Sequence, residues 1–129
     1  EQFSIFVFGI DSVSHSQFLR KLPQTHKFLM NNLSAYDFSG YMKVGLNSFP
    51  NLIPLLIGSS DSELPMNSRK SNLDSLPYIW KEATMLKYRT LYAEDRPQYS
   101  TFNYLAGGFR QSPTDYYFRP FILAAERFT

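Results

Sequence analysis

Asp11 and Ser48 are the residues whose types and positions could do chemistry together. Asp11 closes the apolar run FSIFVFGI, residues 3 to 10, and Ser48 follows AYDFSGYMKV, residues 35 to 44, within VGLNSFPNLIPLLIGSS. Ligands of open parallel sheets collect beyond the carboxyl ends of the strands, so the two groups are expected to face one crevice. There a carboxylate could hold a cation, and the hydroxyl would sit beside helix-start amides that favour an anion. Each residue also has a plainer reading. An Asp after a strand is often a turn residue or cap, and a Ser ahead of an apolar run is a common helix N-cap. Residue type and spacing leave both readings open.

Other candidates are fewer. Glu94 and Asp95 close YRTLYAED, where they could line the crevice and bind substrate or form a charged turn before Pro97. Arg96 and Lys43 could pair with an anionic substrate, though either is more often a solvated cation. His15 reads as a polar turn residue and His26 as a surface or partly packed histidine.

The elements that must position these groups follow from periodicity. FSIFVFGI is a nearly continuous run of β-formers, as in a strand buried on both faces. FLRKLPQTHKFLMNNL is split by Pro23, which predicts a short turn and then a helix near residues 24 to 33. AYDFSGYMKV reads as a second strand and YRTLYAED as a third. LPYIWKEATMLK sets Ile79, Trp80, Ala83 and Leu86 on one helical face, and a last helix starts near Pro120. Residues 59 to 76 read as a long surface loop. Strand and helix patterns alternate, so the expected fold is α/β, a mostly parallel sheet with helices on both faces. The cluster DYYFRPF, residues 115 to 121, reads as packing for the last helix, although its tyrosines could border a lipid or glycan.

Composition bounds the rest. With 129 residues, 43% hydrophobic and 17% aromatic, the chain is rich enough to fold as one domain. Lys plus Arg number 13 against 11 acidic residues, dispersed along the chain, which gives no electrostatic footprint for nucleic acid. No apolar run reaches the roughly 20 residues of a membrane span. The absence of cysteine removes disulfides and thiolate sites.

FGIDSVSHSQFLRKLPQTHKFL, GYMKVGLNSFPNLIPLLIG, LPYIWKEATMLKYRTLYAED and STFNYLAGGFRQSPTDYYFRPF together resemble an uncharacterised sulfatase-like domain family (domain of unknown function 229) of the alkaline phosphatase superfamily. Ser48-Phe49-Pro50-Asn51 resembles the Thr-Phe-Pro-Asn nucleophile motif of nucleotide pyrophosphatase/phosphodiesterases. The resemblance implies an alkaline phosphatase-like fold of which residues 1–129 are the amino-terminal portion. It also implies Ser48 as nucleophile, Asp11 and Ser48 as metal ligands, and divalent metal, zinc or alternatively calcium. The implied activity is a metal-dependent phosphoester hydrolase or transferase in the full-length parent, with the fragment alone inactive. Its substrate would be a small molecule or a glycan or lipid ester, and its place extracellular or in the secretory pathway.

The sequence departs from the pattern in places. Leu52 stands where the sulfatase signature Cys/Ser-x-Pro-x-Arg has arginine, which disfavours formylglycine chemistry and sulfate esters. Pro54 would interrupt a helix begun at the motif, so a kink or a later start is expected. Two histidines cannot complete a two-metal shell. The competing readings are a degenerate, non-catalytic domain that binds a glycan or phospholipid headgroup, and an interaction protein whose aromatic surface docks a partner.

Overall fold

A computed structural model describes residues 3–64 and 73–128, in two compact units, residues 1–42 and 43–129, each described by itself. The part of the expected surface loop at residues 65 to 72 lies outside the described residues. The expected layered α/β sheet does not form, and the architecture is mostly helical. Among the described residues the sheet has two parallel strands, β1 (Leu91–Tyr92) and β2 (Tyr116–Tyr117), with Leu91 opposite Tyr116 and Tyr92 opposite Tyr117. The alkaline phosphatase-like architecture implied by the resemblance is thereby corrected.

In the first unit, α1 (His15–Lys21) opens with the Ser14 hydroxyl accepting from the Gln17 N–H at 3.1 Å. Leu22 ends it, its N–H donating to the Phe18 carbonyl, and α2 (Pro23–Asn32) begins at once. Pro23 takes the first helical position, where its missing N–H costs no bond. The proline that suggested a turn instead joins two helices. Phe18 meets the His26 ring edge-on at 6.3 Å.

The runs expected as the first two strands form no ladder. Phe3, Ile5, Phe6, Val7 and Phe8 are 75–85% exposed, and no backbone hydrogen bond is made within residues 3–10. Tyr36, Phe38, Tyr41 and Met42 are exposed as well. β-propensity measures fit to a half-buried pleated surface, and these runs have no such surface around them in their unit.

The second unit is organised by aromatic packing. Helices α3 (Phe49–Ile57), α4 (Ile79–Met85) and α5 (Arg119–Ala125) and the two short strands surround a core of Phe49, Ile53, Leu73, Leu76, Tyr78, Trp80 and Phe102. Tyr78 stacks on Trp80 at 4.3 Å, and both rings present faces or edges to Phe102 and Phe109. Of the predicted helical face, Trp80 alone is buried, while Ile79 and Leu86 are more than half exposed. Pro54 lies inside α3, and the helix continues past it to Gly58, which takes the left-handed conformation at φ 73° and donates to the Pro54 carbonyl. Gly108 is left-handed as well, and a Cβ there would lie 2.2 Å from Asn103 Nδ2.

The Tyr78 hydroxyl is buried without a hydrogen-bond partner, and burial, with the Asp74 charge adding to it, holds the phenol well above its ordinary range. An unpartnered buried hydroxyl loses its solvation for nothing in return. Tyr78→Phe is therefore expected to leave the stability unchanged or raise it by about 1 kcal/mol, and a urea titration of the variant beside the parent checks this. A loss of comparable size would show that the hydroxyl is bonded.

Candidate functional site

Ser48 occupies the N-cap position of α3 with helical dihedrals, φ −69° and ψ −42°. Its hydroxyl makes no capping hydrogen bond, and its carbonyl accepts from the N–H groups of Asn51 and Leu52 at 3.1 and 2.8 Å. The side chain is half-buried. Ser48 is thus placed at the joint that the sequence suggested, without serving as a side-chain cap.

Asn51 builds that joint. Its Oδ1 accepts from the N–H groups of Val44 and Gly45 at 2.8 and 3.2 Å, and its Nδ2 donates to the carbonyls of Gly45 and Asn47 at 2.8 and 2.6 Å. One amide side chain therefore replaces the ladder that the preceding backbone lacks. Asn47 turns the chain with φ 71°, a conformation that Asn tolerates better than most residues. Gly45 lies so close to Pro50 that an added Cβ would sit 2.8 Å from the proline Cβ. By sequence alone Asn51 is only the end of the Ser48-Phe49-Pro50-Asn51 motif. No local sequence pattern signals its structural role, because it acts on backbone groups of Val44, Gly45 and Asn47 earlier in the chain.

Asp11 is exposed in a turn of the first unit, with Ser12 Oγ donating to its Oδ2 at 3.4 Å. Ser48 belongs to the second unit. His15 Nε2 lies 3.1 Å from Asp37 Oδ2. Glu94 is committed to local structure: Oε1 accepts from the Thr101 N–H at 2.9 Å and from its hydroxyl at 2.6 Å. Asp95 is exposed beside it. Burial, followed by the charge of Glu94, pushes the Tyr92 phenol far above its usual range. Among the described residues no three His, Asp or Glu side chains are grouped so as to hold a metal ion.

A second polar constellation escaped the sequence reading. Asp115 Oδ2 accepts from the Thr90 N–H at 2.8 Å and the Thr90 hydroxyl at 2.9 Å, and Oδ1 accepts from Arg89 at 3.1 Å. The Asp115 N–H in turn donates to the Thr90 hydroxyl at 3.1 Å, so the carboxylate fastens the start of β1 to the start of β2. The Thr90 backbone and side-chain bonds, then Arg89, hold this carboxyl below its ordinary range. Hydrogen bonds from Ser60 lower Glu63 in the same way, within a reciprocal Ser60–Glu63 capping box.

Both groups have a folded-state pKa below the unfolded value. Their stabilisation is complete above the unfolded carboxylate range near pH ~4 and disappears as pH falls through the lower folded value. The melting temperature is expected to fall as pH drops below about 4. Asp115→Asn should flatten part of that acid limb and lower the neutral-pH melting temperature, as circular dichroism melts across pH will show. An acid limb unchanged in Asp115→Asn and in Glu63→Gln would contradict these assignments.

These findings correct the expected activity. A metal-dependent phosphoester hydrolase or transferase of the alkaline phosphatase or sulfatase kind needs its nucleophile and metal ligands at the ends of a large parallel sheet. The observed strands are two residues long and the rest is mostly helical. The reading of a degenerate version of that domain loses its basis for the same reason. No helix of the described residues is long and apolar enough to cross a membrane.

No curated protein and no solved structure matches the chain. A family model does match, over residues 1–129, and by that match the chain belongs to the family described as protein of unknown function, DUF229.

Proposed function

We propose that the chain is an interaction module that adds the segment Phe3–Ile10 as a strand to the sheet edge of another polypeptide. One observation carries this reading: five large apolar side chains in residues 3–8 are 75–85% exposed on backbone without internal hydrogen bonds. Phe6 and Phe8 stack their rings 14° from parallel at 6.2 Å, the side-by-side relation of residues i and i+2 in a strand.

The occupant is selected by what the segment lacks. Three Phe side chains present several hundred Å², beyond what monomeric surfaces ordinarily leave open. Lipid would cover the apolar surface and leave the N–H and C=O groups unsatisfied. A small ligand is too short, because the segment spans roughly 25 Å as a strand. A sheet edge meets both needs, since main-chain bonds supply affinity and alternate side chains enter apolar pockets on the two faces.

A photoreactive phenylalanine analogue at position 6 tests this in the producing cell. The expected product is an adduct to one polypeptide, with amide protection of residues 3–10 in the complex and loss of the adduct in Val7→Asp. An adduct to lipid, or an adduct that persists in Val7→Asp without amide protection, would overturn the reading.

A further inference from the structure

Asn32-Leu33-Ser34 is the one Asn-x-Ser/Thr triplet in the chain, and its middle residue is not proline. That triplet is the acceptor for N-linked glycans, which are bulky and solubilising and need a surface position. In the first unit Asn32 is the last residue of α2, and Asn32, Leu33 and Ser34 are all exposed.

The local backbone presents the triplet without using its side chains. The Leu33 N–H donates to the Phe28 carbonyl at 3.3 Å and the Ala35 N–H to the Leu29 carbonyl at 3.0 Å, so backbone bonds alone close the helix. Ser34 takes φ 50°, in the left-handed region, and turns the chain off the end of α2. Among the described residues neither the Asn32 amide nor the Ser34 hydroxyl has a hydrogen-bond partner. Asn51 and Asn103 contrast with it: Asn51 Nδ2 donates to two carbonyls, and Asn103 Oδ1 accepts from the Ser100 hydroxyl at 3.0 Å. A substituent on Asn51 Nδ2 would break bonds that hold the fold, whereas one on Asn32 Nδ2 would break none. The surroundings are apolar. Phe28, one turn before Asn32 on the same side of the helix, is 52% exposed, and Leu33 and Tyr36 are 59% and 88% exposed. A glycan on Asn32 would stand over apolar surface that the unit leaves in water.

We propose that Asn32 carries an N-linked glycan, added in the lumen of the secretory pathway. The donor is an oligosaccharide linked to a lipid diphosphate. Asn32 Nδ2 forms a bond to the anomeric carbon of the first sugar, and the bond from that carbon to the diphosphate oxygen breaks. The lipid diphosphate leaves with the electron pair, the amide gives up one proton, and nothing is oxidised or reduced. The Ser34 hydroxyl is the group by which the transferase recognises the triplet, and it is unchanged by the reaction. The proposal therefore includes passage of the chain through the lumen. It is independent of the segment Phe3–Ile10, and each stands if the other fails.

The protein isolated from the cells that produce it is treated with peptide N-glycosidase in heavy-oxygen water and cleaved with trypsin. Mass spectrometry of the peptide of residues 28–43 then reads the site, with fragment spectra separating Asn32 from Asn31. The expected result is conversion of Asn32 to Asp bearing the heavy oxygen, with faster gel migration of the treated protein. Ser34→Ala should lose the modification and Ser34→Thr should keep it, a pattern that surface exposure alone does not produce. An unmodified Asn32 in that peptide, a glycan that persists in Asn32→Gln, or one that survives Ser34→Ala would each overturn the proposal.

Discussion

Phe102→Ala is expected to remove a large part of the stability of the second unit and to lower its urea midpoint accordingly. Phe102 is fully buried, and its ring lies 4.9 to 6.3 Å from those of Phe49, Tyr78, Trp80, Tyr92 and Phe109. Deletion of a buried Phe side chain costs about 3–5 kcal/mol, the lost transfer energy plus the cavity left behind. Domains have only about 5–15 kcal/mol in total. Tyr78, Trp80, Tyr92 and Phe109 also pack on one another, so these four rings cannot collapse into the gap independently. Phe102→Leu, which keeps most of the volume, should lose about 1–2 kcal/mol. Urea titration of both variants, followed by near-ultraviolet circular dichroism, distinguishes them. Equal midpoints for Phe102→Ala and the parent would mean that the ring cluster is not the core.

Asn51→Ala is the second large effect. The substitution removes all four hydrogen bonds that tie Val44, Gly45 and Asn47 to α3. At about 0.5–1.5 kcal/mol for each net bond, the loss is roughly 2–4 kcal/mol, moderated where water reaches the freed backbone groups. Asn51→Asp keeps the acceptor but sets a second oxygen against the carbonyls of Gly45 and Asn47, so it should rescue little. Amide exchange is the sharper readout. Val44 and Gly45 N–H groups should lose protection in Asn51→Ala, while α4, bonded through its own backbone, should keep it. A variant with unchanged exchange at Val44 and Gly45 would remove Asn51 from the role assigned here.

Much of the helical content was legible in the sequence for local reasons. The segment after Pro23 and the segment from Ile79 have helical periodicity, and the last helix starts beside Pro120 as the fixed φ of proline favours. Sheet formation was not legible, because it depends on neighbours that no local pattern specifies. FSIFVFGI and AYDFSGYMKV have the composition of strands but form no ladder, whereas Tyr116–Tyr117, read as packing for a helix, pairs with Leu91–Tyr92. Asp115 escaped notice because its partners Arg89 and Thr90 lie some 25 positions away in sequence. At Ser48 the position of the joint was readable, but the side chain that shapes it was not. Asn51 works through backbone groups, which sequence patterns do not display.

The proposed pairing with a sheet edge requires that the backbone of Phe3–Ile10 be unpaired in the chain alone. Hydrogen exchange at these amides in the dilute chain alone tests it most directly. Exchange at the rate of an unstructured peptide is the predicted result, with slowing only on association. Strong protection of Ile5 to Phe8 in the monomer would show that the strand is already paired, and would contradict the account.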